Sequence, residues 1–155
     1  MKMFYWKLAN GALATRVNLR KRKILSETPC PFCGDEEESN THLFKDCEVT
    51  MRIWKSSNLG INSKNPANMD ISQWTKNWLW FLMQDDSNLE GQAIEFLGTL
   101  WSIWLLRNKR IFNTSYHLNP SDTFEITRNW LKRWQDSSGN LILNVSPKKD
   151  TMGDL

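Results

Sequence analysis

All three cysteines of this chain, and one of its two histidines, fall within residues 30–47, "CPFCGDEEESNTHLFKDC". The spacing is C-x2-C-x8-H-x4-C, formed by Cys30, Cys33, His42 and Cys47. Three thiolates and one imidazole are the ligand types of a closed, tetrahedral structural zinc site. Sulfur ligands favour zinc over calcium or magnesium. The C-x2-C half needs a tight turn, which Pro29, Pro31 and Gly34 supply. A helix is expected from about Thr41 to Ser56. On it His42 and Cys47 lie five residues apart, just over one turn, so both reach one point. The expected cofactor is therefore one structural Zn2+. Two other readings of the cysteines stand beside this one. They can be small buried hydrophobes, or Cys30 and Cys33 can form a redox pair, although no βαβ pattern surrounds them. The acidic run Asp35 to Glu38 reads as a solvated loop. Glu38 alternatively bonds a ligand-bearing backbone or the His42 ring as a supporting partner.

An odd cysteine count excludes a closed disulfide framework within one chain. The opening "MKMFYWKLANG" has no continuous apolar stretch of a secretory leader. "WLWFLM" and "LWSIWLL" are far shorter than the ~20 residues of a membrane span. The expectation is an intracellular protein of the nucleus or cytoplasm, not secreted and without a membrane partner.

Apolar periodicity predicts an all-α fold. Phe4, Leu8 and Ala12 share one stripe, and Thr15 is a plausible N-cap for a second short helix to Lys23. Residues 57–69 are rich in turn-formers and read as a linker. Asp70 with Gln73 looks like a capping box for a helix to about Gln84, with Ile71, Trp74, Trp78 and Leu82 on one face. Residues 90–113 form the strongest helical pattern, through Ile94, Leu97, Trp101, Trp104, Leu105 and Ile111. Asp122 and Glu125 open a last helix to Gln135, and "NLILNV" in the tail is strand-like. The expected organisation is a zinc-binding helical region at 1–56, a linker at 57–69, a tryptophan-rich helical region at 70–135 and a short extended tail at 136–155. Because the later helices carry their own apolar stripes, zinc removal is expected to melt 1–56 and spare much of the rest.

Charge is unevenly distributed. Residues 1–23 carry Lys2, Lys7, Arg16, Arg20, Lys21, Arg22 and Lys23 and no acid, whereas 27–48 carry seven acids and one base. Arg16, Arg20, Lys21, Arg22 and Lys23 are the candidate phosphate contacts for RNA or single-stranded DNA, with a solvated helix end as the plainer reading. Nine tryptophans also invite a base-stacking reading: Trp101 and Trp104 with Arg107, or Trp130 and Trp134 with Lys132 and Arg133. Helical spacing assigns most of them to a core. His117 is isolated in a polar turn and inert. No Gly-rich phosphate loop and no Ser-His-Asp set is present, so neither an enzyme nor a small-molecule substrate is expected.

The same residues resemble a known family, the zinc-binding region that follows the polymerase in plant non-LTR (LINE-type) retrotransposon reverse transcriptases. The family's run is a tryptophan, "hgaLPT", a leucine, an arginine, "CplC", "ES", "HLF", a cysteine and a tryptophan. Here it reads Trp6, "NGALAT", Leu19, Arg22, "CPFC", Glu38-Ser39, "HLF", Cys47 and Trp54. "IWLLRNKRIFN" at 103–113 is similar to the family's "iWkeRNrriF". Ala14 replaces the family's proline. The resemblance implies a retrotransposon-derived, zinc-binding, non-catalytic module that helps hold an RNA or DNA template. A protein-interaction domain using its tryptophan-rich surface is the alternative, and a degenerate product with no selected role a third. The parent's polymerase carboxylates are lacking: "MQDD" at 83–86 has no preceding aromatic and reads as a helix stop. "LILNVS" at 141–146 looks like the first strand of a ribonuclease H remnant, with Ser146 in place of the catalytic aspartate, and a frayed, chance hydrophobic tail is the equal alternative.

Overall fold

The computed structural model describes residues 2–64, 68–84, 89–113, 115–117 and 119–143. The regular elements among these residues are all helices, with no strand among them and one isolated bridge between Pro29 and Glu37. Helix α1 spans Lys2–Ala9, α2 Arg16–Lys21, α3 Glu48–Ser56, α4 Ile71–Leu82, α5 Leu89–Phe112 and α6 Pro120–Leu143. A single wide turn, His42–Asp46, precedes α3. Among the described residues, no helix is long and apolar enough to cross a membrane.

Local chemistry sets several of the boundaries. The Asp70 carboxylate accepts from the amides of Ser72 and Gln73 at 2.8 and 3.0 Å, so α4 begins where the cap was expected. The box does not close, because the Gln73 side chain donates to Asn77 instead. Thr15 occupies the N-cap position of α2 but makes no side-chain cap bond. The helix expected from Thr41 to Ser56 is broken at Cys47, whose extended backbone separates the wide turn from α3. There Cys47 N–H reaches back five residues to His42 O at 2.7 Å, and the Thr50 hydroxyl satisfies Leu43 O at 2.7 Å. The last helix runs past Gln135 to Leu143. Ser, Gly and Asn weaken a helix without removing an amide donor, and the first proline after it is Pro147, so nothing stops the ladder earlier. Residues 141–143, read as strand-like, are thus helical. Asp85, Asp86, Ser146 and the remainder of the tail lie outside the described residues.

One core joins α1, the wide turn and α3 to α4 and α5. Phe4, Leu8, Leu43, Phe44, Ile53 and Trp54 pack in the same buried cluster as Ile71, Trp74, Phe96, Leu100 and Ile103. Trp54 stands against Trp74 and Phe96 with ring centroids at 5.5 and 5.1 Å, and its indole N–H donates to Phe44 O at 2.8 Å. Phe4 meets Trp101 edge-on at 5.1 Å. Residues 57–64 of the expected linker contribute to this core as well: Ile61 is buried, and Ser63 donates to Lys45 O at 2.7 Å. Helix α5 packs along α6 through small side chains. Ser102 and Thr127 hydroxyls meet at 2.9 Å, and Gly98 lies so close to the Trp130 ring that a Cβ there would sit 2.8 Å from Cε3.

Candidate metal centre and cationic arm

The metal loop is shaped by its backbone. Cys30 N–H donates to Glu36 O at 2.7 Å and Glu38 N–H to Thr28 O at 2.7 Å, which folds 28–38 into a tight hairpin-like loop. At its tip Gly34 N–H donates to Cys30 O at 2.8 Å with φ +80°. This left-handed conformation is one that glycine adopts without strain, and it brings Cys33 back beside Cys30. On the other side the Ser39 hydroxyl accepts from His42 N–H at 3.0 Å, and the wide turn carries Cys47 under His42.

The result is a convergent cluster. One ligand atom from each of Cys30, Cys33, His42 and Cys47 lies within 4.8 Å of the others. Cys30 and Cys47 sulfurs are 3.9 Å apart, and Cys33 Sγ is 3.4 Å from His42 Nε2. A tetrahedron with ~2.3 Å Zn–S and ~2.0–2.1 Å Zn–N bonds has S···S edges of about 3.8 Å and S···N edges of about 3.6 Å. Both observed separations fit those edges to within a few tenths of an ångström. The set is thus able to hold one zinc ion.

Electrostatics favours the thiolate form at Cys47. The contact from Cys30 and the His42 ring hold the Cys47 thiol down at about 4, aided by the Val49 and Thr50 amides at the start of α3. The same contact raises Cys30, so the negative charge rests on Cys47. Burial pushes His42 down, but Cys47 and Cys33 outweigh it and carry the imidazole up to about 9. The raised ring and the lowered Cys47 thiol share one cause, their mutual attraction, and zinc would take the place of the ring proton, because ligation requires a neutral imidazole. Glu36 Oε2 lies 3.1 Å from His42 Nδ1, on the ring edge opposite the sulfurs. The contact lacks hydrogen-bond geometry, and His42 Nδ1 is buried without a hydrogen-bond partner, so Glu36 is close enough for an ion pair with a protonated ring but does not fill the supporting place that the sequence suggested for Glu38.

Glu38 does something else. The acidic run is not wholly solvated: Asp35, Glu36 and Glu37 are exposed, but Glu38 is buried. Its carboxylate forms a two-pronged pair with Arg107 of α5, Nε to Oε1 at 2.7 Å and Nη2 to Oε2 at 2.6 Å. Oε2 also accepts from Arg16 N–H at 2.7 Å. Arg107, only 4% exposed, donates further to Ala14 O at 3.0 Å and stacks its guanidinium 4.8 Å from the Trp104 ring centroid. Removing one member of such a pair leaves a buried charge uncompensated, typically at a cost of about 3–5 kcal/mol. Sequence reasoning missed this pair. A signal was present, because Arg107 continues the buried register of Phe96, Leu100 and Ile103, where a cation needs a buried anion.

The cationic residues divide. Arg16 is half-buried at the start of α2, while Arg20, Lys21, Arg22 and Lys23 are exposed. Arg20 is committed to Glu37, Nη1 to Oε1 at 2.6 Å and Nη2 to Oε2 at 3.2 Å. Arg22 reaches Ala12 O at 3.5 Å. The aromatic platforms are less open than a stacking site requires: Trp101, Trp104 and Trp130 are half-buried, and Arg107 is sealed against Glu38. The Trp134 side chain lies outside the described residues, and His117 is exposed.

Fold and site together define an all-α chain with a Cys3His cluster able to hold one zinc ion. More narrowly, residues 1–54 match the family described as zinc-binding in reverse transcriptase. Over 98% of its length the chain is also similar, at 22% identity, to an Arabidopsis thaliana protein named as a ribonuclease H protein. The chain spans 24% of that relative. No solved structure matches.

Proposed function

We propose that this chain is a non-catalytic zinc-binding module of retrotransposon origin, in which Cys30, Cys33, His42 and Cys47 ligate one structural Zn2+ and the exposed end of the cationic arm contacts RNA or single-stranded DNA. The observation that carries the reading is the match of the 3.9 Å S···S and 3.4 Å S···N separations to the edges of a zinc tetrahedron. Zinc holds the loop, the loop holds α2, and the arm presents Lys21, Arg22 and Lys23 to phosphate. Thiolates kept reduced for ligation suit an intracellular compartment, nucleus or cytoplasm. The absence of a polymerase or nuclease role is supported by Ser146 standing where the resemblance places a catalytic aspartate.

Metal analysis and X-ray absorption on protein purified without added zinc test the ligation. One zinc per chain with three sulfurs and one nitrogen is the expected result, and oxygen-dominated ligation rejects the site. Strand binding is tested by salt titration. With Arg20 tied to Glu37, three exposed cations remain in the arm. At roughly 0.7 per phosphate contact, the log–log slope for a single strand is about −2. Changing Lys21, Arg22 and Lys23 to Ala flattens that slope and leaves the zinc content unchanged.

A second reading has its own support. Trp80, Phe81 and Met83, at the end of α4, are 68%, 62% and 65% exposed. Large clustered apolar side chains in water mark interaction surfaces. If the oligonucleotide titration shows no binding at low salt, a protein partner on this face becomes the leading function.

A further inference from the structure

Glu38 lies in the metal loop, between Cys33 and His42, yet its bonds go to other elements. Its carboxylate takes Arg16 N–H at 2.7 Å, and its carbonyl takes Val17 N–H at 3.2 Å. These are the first two amides of α2, donors that a helix cannot satisfy internally. Thr15, in the N-cap position, leaves them to Glu38, and its own Oγ1 is buried with no hydrogen-bond partner. At six residues α2 is far below the length at which a helix persists alone in water. Its start is therefore set from outside. Arg107 holds Glu38 in place with two prongs and grips Ala14 O beside it. A lysine at 107 could supply charge but not this planar, two-point geometry.

We propose that Glu38 is a positioning residue that transmits the order of the metal loop to the cationic arm, with Arg107 as its anchor on α5. The arm presents Lys21, Arg22 and Lys23 in one arrangement because the loop residue between two zinc-ligand positions caps their helix. The proposal rests on the ligation and strand-binding readings above, and local amide exchange separates it from both. It also predicts that residues outside the N-terminal third, Arg107 first, affect strand binding without touching zinc or nucleic acid.

The test uses the full chain loaded with zinc and compares wild type with R107K, E38Q and the double variant E38L/R107M. The double variant removes both buried charges together, so it keeps a folded form available should the single variants fail to fold. Amide hydrogen exchange and binding to a single-stranded oligonucleotide are measured at one zinc per chain. The Arg16 amide is expected to exchange about tenfold faster in the double variant and in R107K, while amides in the middle of α4 change by less than about threefold. Oligonucleotide affinity falls several-fold at unchanged zinc content. Uniform acceleration of all amides would mean that the pair only contributes global stability, and that result overturns the proposal. So does wild-type exchange at Arg16 in a folded, zinc-loaded double variant. If wild type binds no oligonucleotide, the strand-binding reading fails by itself, and the Arg16 exchange still decides the role of Glu38. If wild type takes up no zinc, the ligation reading fails by itself, and Arg16 exchange in the metal-free chain still decides whether Glu38 orders the arm.

Discussion

At the scale of single residues, the decisive positions are those where a side chain has no room to be anything else. Gly98 is one. A methyl group there would sit 2.8 Å from Trp130 Cε3 and 3.2 Å from the Thr127 methyl. Alanine gains about 1 kcal/mol over glycine in a helix interior, but overpacking at a helix–helix contact costs about 1–3 kcal/mol. The ring is flanked by α5, so the clash wins. Gly98→Ala is expected to lower stability by up to about 2 kcal/mol in urea unfolding, and a stabilised variant would show that α6 yields freely. Arg107 is the opposite kind of position, a charge in a core register made tolerable by Glu38. Tyr5 is a milder case: half-buried, its phenol pushed up by desolvation, it donates to Leu97 O at 3.0 Å and ties α1 to α5.

At the scale of elements, capping and turn chemistry decide where helices begin and end. Helix α4 owes its start to Asp70, which satisfies two orphan amides. Asp70→Ala is therefore expected to cost about 1 kcal/mol in a denaturant titration. A larger loss would show that the Ile71 N–H to Thr41 Oγ1 bond of 3.2 Å depends on the cap. The wide turn at His42–Asp46 matters more for function. An uninterrupted α-helix would have carried His42 and Cys47 around its axis at five residues' spacing, about 500° of rotation, not one turn. The break at Cys47 brings its sulfur to the cluster and also sets it at the N-terminus of α3, where backbone amides favour a thiolate.

At the scale of the whole molecule, the issue is whether metal and core are separable. A structural zinc of this type contributes apparent binding energy of about 10–16 kcal/mol, whereas a domain is stable by about 5–15 kcal/mol in total. The loop is joined to the core through Leu43, Phe44 and Trp54 and to α5 through Glu38. A strong chelator, or Cys33→Ser, is thus expected to abolish most helical circular dichroism in one transition, with tryptophan emission shifting at the same chelator concentration. Survival of helix in residues 70–143 after complete zinc removal would instead support the division at 57–69 that the sequence suggested.

The metal set was legible in the sequence because ligand chemistry is carried by residue type and short spacing: three cysteines and a histidine within 18 positions leave few other uses. The long helices were legible for a similar reason, since periodicity is a local property, and α5 falls within a residue or so of its expected ends. The cap at Asp70 belongs to the same class. Tertiary structure alone decided the rest. The turn at Cys47 is a compromise between two helical fragments and the cluster they must reach, which no propensity scale encodes. Arg20 was counted as a free cation until Glu37, 17 residues away, was brought to it. Glu38 and Arg107 are 69 positions apart. Local pattern places each of them on its element, but only the packing of the metal loop against α5 determines that one buried charge neutralises the other.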